Sequence, residues 1–185
     1  MILKKNKAVL IFLLRFFVSY IALSSGYNWF LGNTQQTEDV FVSDPITRLV
    51  AEQTVTTARF LGLDFRTEQH PEELSYKLIS NNNYVARVVE GCNSISIIVL
   101  FWAFIIAFKG RTKNTLLFGI MGGLSIYLLN ILRIVLLTYA VDKYPSQTDF
   151  LHHIVFPGII YGFTFVLWFV WVKHFAITPK KVEDE

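Results

Sequence analysis

The chain has 185 residues, of which 53% are hydrophobic and 16% aromatic, with a mean hydropathy of +0.44 and a formal net charge of +3. This composition is too apolar for an ordinary soluble domain of this size and predicts a protein that is mostly embedded in a membrane. The sequence contains no dense basic patch and no glycine-rich phosphate loop, so we expect a lipid bilayer and no nucleic acid as partner.

Four apolar segments approach or exceed the roughly 20 helical residues that cross a bilayer. They comprise residues 8–30, 88–108, 115–140 and 153–172. We therefore predict an all-α integral membrane protein, a four-transmembrane-helix bundle that forms a single membrane domain over residues 1–185. The first segment also has features of a cleaved signal peptide, but its apolar run exceeds the usual core of about 7 to 15 residues, which favours a retained anchor.

Lysines and arginines cluster before the first segment, between the second and third, and after the fourth. These clusters contain Lys4, Lys5, Lys7, Lys109, Arg111, Lys113, Lys173, Lys180 and Lys181. By the positive-inside rule all three clusters are cytoplasmic, and so are both termini. Residues 31–87 then form an extracytoplasmic insertion.

We expect this insertion to be small and mainly helical. Ser43, Asp44 and Pro45 are typical of a helix start, and apolar residues at Ile46, Leu49, Val50, Phe60 and Leu61 predict an amphipathic helix that ends near Gly62. This helix could lie on the membrane or over a site, or it could simply be a linker. The tract His70–Asn83 favours a short helix and a loop.

Polar groups that lipid disfavours occur in three different segments: Cys92, Arg133 and the pair His152/His153. Counted from the polar or basic residue that closes the other end of each segment, the separations are 17 residues for Cys92, 19 for Arg133 and 20 for His153. At about 1.5 Å per helical residue these separations are roughly 25 to 30 Å, close to the hydrocarbon thickness. The three groups are therefore predicted to meet at the outer face of the membrane.

Each group also has a simpler interpretation. A lone cysteine is often just a small hydrophobic residue, although Cys92 follows a glycine at a predicted helix start, where the helix dipole favours a thiolate. Arg133 could extend to a lipid phosphate, but a guanidinium in a spanning helix costs at least about 2.5 kcal/mol unless it faces a polar interior. Asn130, three residues earlier, indicates such an interior face.

The tandem histidines could cap the last segment instead of acting in catalysis. The sequence offers no second pair of ligands at a spacing typical of zinc, so we expect no metal and no cofactor. Together, a thiol, an imidazole and a fixed cation suit a cysteine peptidase or transpeptidase, in which they serve as nucleophile, general base and oxyanion partner. The alternative is a non-enzymatic membrane scaffold subunit of an envelope or export complex.

Three sequence blocks carry a resemblance to a known family. They are Glu-Gly-Cys-Asn-Ser-Ile at 90–95, Asn-Ile-Leu-Arg-Ile at 130–134, and His-His-Ile-Val-Phe-Pro-Gly-Ile-Ile-Tyr-Gly at 152–162. In order and membrane placement they resemble the signature blocks of the exosortase/archaeosortase family, and the short length is similar to the exosortase F type of Bacteroidota. The family block more often has Ser-Gly after the cysteine, where this chain has Asn93 and Ser94.

The resemblance implies a multi-pass transpeptidase of a bacterial inner membrane, with its active site facing the periplasm. It would cleave the C-terminal sorting-signal helix of exported proteins and pass the acyl-enzyme to an unknown acceptor nucleophile. Cys92 would be the nucleophile, Arg133 the cation, and His152 or His153 the base. The spacing to Gly162 favours His153, whereas an acidic or polar residue after the base in relatives would favour His152. Asn130, Asn93 and Ser94 would orient the substrate.

Overall fold

The structure is a computed structural model that describes residues 2–37 and 40–176 and is mostly helical. Its helices are α1 (Ile2–Thr34), α2 (Pro45–Phe60), α3 (Ile95–Ala107), α4 (Thr112–Lys143), the single turn α5 (Thr148–Phe150) and α6 (Phe156–His174). Its strands are β1 (Phe65–Gln69), β2 (Ser75–Ser80) and β3 (Asn83–Val89). Lys180 and Lys181, which entered the orientation argument, lie outside the described residues.

Three helical stretches in the described part of the chain are long and apolar enough to cross a membrane: Lys7–Thr34, Thr112–Lys143 and Pro145–His174. They make the protein a multi-pass membrane protein. The second predicted segment, 88–108, contains only the 13-residue helix α3. Because residues 83–89 belong to a strand and 90–92 to a turn, the helix begins at Ile95 and not at residue 88. A fourth crossing and the cytoplasmic termini stay predictions.

Helix α3 is short but is surrounded by the longer helices. Phe104 stacks on Trp168 of α6 with ring centroids 4.4 Å apart, and Phe12 of α1 contacts Phe108 just past the end of α3, also at 4.4 Å. Phe101 and Ile105 are fully buried. The Phe12 contact places α1 beside α3. The retention of α1 as an anchor stays a prediction.

Helices α3 and α4 approach closely because α4 presents glycines to the aromatic side chains of α3. A methyl group added at Gly119 would overlap the ring of Trp102, and one at Gly122 would overlap the ring of Phe101. Small residues are the usual means of close helix packing in membranes, where dispersion contacts replace the hydrophobic effect as the driving force.

Helix α2 confirms the helix predicted after Ser43. The Asp44 side chain accepts hydrogen bonds from the backbone N–H groups of Ile46 and Thr47 at 3.1 and 2.9 Å, which caps the helix, and Gly62 follows its end with a φ of +80°. The face of α2 that packs inward is formed by Thr47, Val50, Ala51, Thr54, Val55 and Ala58. Of the predicted apolar face, Leu49, Phe60 and Leu61 are exposed. Their contact with the membrane stays a prediction.

The remainder of the insertion corrects the prediction of a mainly helical region. The tract His70–Asn83 contains strand β2 and a two-residue turn, and the three strands form one antiparallel sheet in the order β1-β2-β3. Asn81 and Asn82 have φ values of 49° and 67°, the left-handed conformation that a tight hairpin turn requires. The inner face of the sheet and α2 pack against the C-terminal half of α4. The buried core that they share includes Leu78, Val88, Ile131 and Val135.

Candidate active site

Cys92 lies in a loop that joins the sheet to the membrane bundle. Strand β3 leads into a 3-10 turn, Glu90–Cys92, and α3 begins three residues after the cysteine. The first free N–H group of α3, on Ile95, is bound by the Asn93 side chain at 2.9 Å. Cys92 is therefore not at the helix start, and the helix-dipole argument for its thiolate loses its basis.

Asn93 holds this loop in place and is fully buried. Its Nδ2 atom donates to the Tyr27 hydroxyl of α1 at 2.7 Å and to the Thr47 hydroxyl of α2 at 3.3 Å. A single amide thereby connects the loop to α1, to α2 and to the start of α3. The Asn93 side chain binds other residues of the protein, and the structure gives no contact that supports its predicted role in orienting the substrate.

Ser94 adopts a left-handed backbone conformation, with φ 66° and ψ 0°. An L-residue reaches this region at a cost of roughly 1–2 kcal/mol, which glycine avoids. The Ser94 hydroxyl donates to the Asn93 carbonyl at 2.6 Å. The resemblance described above implies a glycine at this position, and glycine would adopt the same conformation without strain.

Asn130 connects the loop to α4. Its Nδ2 donates to the backbone carbonyl of Cys92 at 2.7 Å, and its Oδ1 accepts from Arg133 Nη1 at 3.3 Å. Asn130 is buried, so the predicted inward polar face shared by Asn130 and Arg133 is confirmed. The Nε atom of Arg133 is buried and has no hydrogen-bond partner among the described residues.

The two histidines lie in a wide, π-helical turn, Leu151–Val155, between α5 and α6. Pro157 lacks the N–H group that would bond to the His153 carbonyl in an α-helix, which accounts for a departure from α-helical geometry at this point. His153 is exposed, with Nδ1 3.1 Å from the Asp149 carbonyl oxygen. His152 is half-buried, and its ring packs edge to face on the His153 ring with the two ring centroids 4.7 Å apart.

One cavity of about 190 Å³ brings three of the predicted residues together. It is lined by Leu78, Ala86, Arg87, Val88, Cys92, Arg133, Ile134, Leu137, Thr138, Val141 and His152. Asn93, Ser94, Asn130 and His153 are not in this lining. The family resemblance favoured His153 as the base, whereas His152 is the histidine that lines the same cavity as the cysteine and the arginine.

The family model described as transmembrane exosortase matches residues 7–171. The chain belongs to the transmembrane exosortase family. No curated protein and no solved structure matches it. Exosortases are a family of cysteine transpeptidases, so this exosortase is a membrane protein-sorting peptidase or transpeptidase in general terms. The short F type stays a prediction.

The exosortase cavity also contains residues that sequence reasoning missed. Ala86, Arg87 and Val88 come from β3, in a region predicted to be helical. Arg87 forms an ion pair with Glu73 on the exposed side of the sheet. Within the ranges 2–37 and 40–176 no group of three or more His, Cys, Asp or Glu side chains could hold a metal ion.

Proposed function

We propose that this exosortase cleaves the C-terminal sorting signals of exported proteins through an acyl-enzyme on Cys92, assisted by His152 and Arg133. The observation that carries the proposal is the single cavity lined by these three side chains. A nucleophile, a base and a cation that reach one space are the parts that acyl transfer requires.

In the first step His152 takes the proton of the Cys92 thiol, and the sulfur attacks the carbonyl carbon of the scissile peptide bond. The oxyanion that forms is stabilised by the guanidinium of Arg133, whose Nε has no protein partner among the described residues. The C–N bond then breaks, and the imidazolium returns its proton to the departing amine. The product is a thioester between the exported protein and Cys92.

In the second step an acceptor nucleophile attacks the thioester carbonyl and displaces the Cys92 sulfur. The acceptor is an unidentified nucleophile of a surface component if the exported protein is attached to the cell surface, and water if the protein is released. His152 can take the proton of either acceptor, since it faces the same cavity as Cys92.

The proposed orientation places this cavity on the periplasmic side of a bacterial inner membrane. The basic loop around 109–113 lies at the start of α4, whereas the cavity is formed by residues 133–141 near its other end. From the start of α4 at Thr112 to Arg133 the helix rises about 30 Å at 1.5 Å per residue, which is one hydrocarbon thickness. With the basic loop in the cytoplasm, the cavity meets exported substrates.

The test is a tail-cleavage assay in cells. Membrane fractions from cells with the native protein and with Cys92→Ala are compared by mass spectrometry of the C-terminal peptides of exported proteins. We expect one or more proteins to keep a hydrophobic, basic-ended tail only in the Cys92→Ala cells, because the acyl-enzyme cannot form without the sulfur.

Ser125→Ala provides a matched control, since Ser125 lies on α4, is exposed and donates only to the Met121 carbonyl of its own helix. Its tail processing is expected to equal that of the native protein. If all tails are processed identically in Cys92→Ala cells at equal protein levels, the nucleophile assignment is rejected. If cells that lack the protein show an envelope defect that Cys92→Ala cells do not show, the scaffold alternative is favoured.

A further inference from the structure

Strand β3 is at the edge of the sheet, next to the cavity. It pairs only with β2, so its outer side presents backbone N–H and C=O groups that no other strand uses. In the described part of the chain, no hydrogen bond from outside the sheet reaches the backbone of residues 83–89.

The opposite edge differs. On β1 the Phe65 carbonyl accepts from Arg59 Nε at 3.3 Å, and the Gln69 side chain accepts from the backbone N–H of Ser43 at 3.3 Å. Loop and helix residues thus tie down both ends of β1. An irregularity in the register between Leu78 and Ile79 disturbs only the hairpin end of β3, which leaves Ala86 to Val89 in regular pairing.

The regular part of β3 is also the part that faces the site. Ala86, Arg87 and Val88 line the same cavity as Cys92, and the chain continues from Val89 to Cys92 through one short turn. On the opposite wall, α4 contributes the apolar side chains Ile134, Leu137 and Val141 next to the polar Arg133 and Thr138. An open strand edge beside an apolar wall is the arrangement by which proteins bind extended peptides, with backbone pairing for affinity and a pocket for a side chain.

We propose that the substrate polypeptide, in the extended segment just before its hydrophobic tail, pairs with the outer edge of β3 as a fourth strand. The proposal rests on the proposed function and adds the mode of substrate recognition. Pairing would align the substrate backbone along β3 and carry its scissile carbonyl toward Cys92, while an apolar side chain enters the cavity against α4. Recognition would then depend on an extended conformation in the segment that precedes the tail helix.

The experiment is site-specific photocross-linking in Cys92→Ala cells, in which uncleaved substrate accumulates. A benzophenone amino acid replaces Arg87 or Val89, two residues apart on the same side of β3, and the cells' own exported proteins are the probe. The matched control is the same replacement at Lys77, which pairs with Arg87 in the register but lies one strand further from the edge. Each variant is first shown to reach the membrane at the normal level.

We expect adducts from positions 87 and 89 on a segment directly before a hydrophobic tail, at yields at least tenfold above those at position 77. The cross-linked residue of the substrate should shift by two when the probe moves from 87 to 89, because paired strands advance together. Equal yields at 77 and 87, adducts without this shift, or no adduct from either edge position would overturn edge pairing.

The tail-cleavage assay separates this outcome from failure of the proposed function. If Cys92-dependent cleavage is present but the edge adducts are absent, edge pairing is rejected and the peptidase stands. If the processing of no tail depends on Cys92, the peptidase itself is rejected. In that case, adducts at positions 87 and 89 would also not support the binding of a substrate to β3, because the cross-linked protein would not be one that the enzyme cleaves.

Discussion

The amide of Asn130 is hydrogen-bonded to the backbone carbonyl of Cys92 at 2.7 Å, although the two residues are 38 positions apart in the chain. The same amide accepts from Arg133 at 3.3 Å. One buried side chain therefore fixes the positions of the proposed nucleophile and the proposed cation relative to each other. Asn130 acts through these two residues, as a positioning residue that does not itself line the cavity.

Asn130→Asp should reduce tail cleavage by about tenfold to a hundredfold. A carboxylate still accepts from Arg133 but cannot donate to the Cys92 carbonyl, and losing a buried hydrogen bond costs roughly 1–3 kcal/mol. The control is Tyr127→Phe, which also removes one hydrogen bond of α4, that to Gln53 at 2.8 Å, without touching the Cys92 loop. Equal cleavage in both variants would remove the special role assigned to Asn130.

His152→Ala should lower the cleavage rate by roughly a hundredfold or more, the usual contribution of a general base. His153→Ala should change it by only a few-fold, since His153 is exposed and faces the Asp149 carbonyl instead of the cavity. Single-turnover cleavage with purified enzyme in lipid nanodiscs provides the measurement. The reverse ranking of the two variants would assign the base to His153, which the family resemblance favoured.

Gly122→Ala should destabilise the helix bundle by about 1–3 kcal/mol, the range found for overpacked cores. The added methyl group would overlap the ring of Phe101, which is fully buried. Gly158→Ala is the control, because nothing lies within 4 Å of the corresponding position, and alanine should there be neutral or slightly stabilising. Thermal unfolding in detergent compares the two, and equal midpoints would contradict the close packing of α3 on α4.

Ser94→Gly should fold at least as well as the native protein, whereas Ser94→Val should lose stability and cleavage together. Glycine accepts the φ of 66° without strain, and a β-branched residue is strongly disfavoured there. Thermal unfolding and the tail-cleavage assay are measured on the same preparations. A valine variant that behaves like the glycine variant would show that the loop is free to change its backbone conformation.

The long membrane helices could be predicted from the sequence because twenty consecutive apolar residues have few alternatives in water or lipid. The sheet was not predicted because its strands are short and polar on one side. The feature of the sequence that indicates it is confined to a two-residue turn. Asn81 and Asn82 tolerate the left-handed conformation of a hairpin turn, and the runs on either side are compatible with strands. A search for paired strands around consecutive asparagines would have found it.

The candidate site was partly predictable for a different reason. Cys92 and Arg133 stood out because lipid disfavours a guanidinium and because the chain has no other cysteine, arguments that need no coordinates. The two adjacent histidines could not be distinguished in this way. Which of them faces the cavity depends on the π-helical turn before Pro157, a local distortion that residue counting along an ideal helix does not reproduce.

Helix α3, with 13 residues, rises only about 20 Å from the basic loop, some 10 Å less than the hydrocarbon thickness. If α3 crosses the bilayer as predicted, the loop that carries Cys92 lies closer to the hydrocarbon core than the ends of the longer helices do. Under the proposed function, a tail anchored in the bilayer would then reach the nucleophile without first leaving the lipid. Drawing one turn of leucines into water would cost roughly 5 kcal/mol or more, at about 1.5–3 kcal/mol per side chain, and the short helix would make that extraction unnecessary.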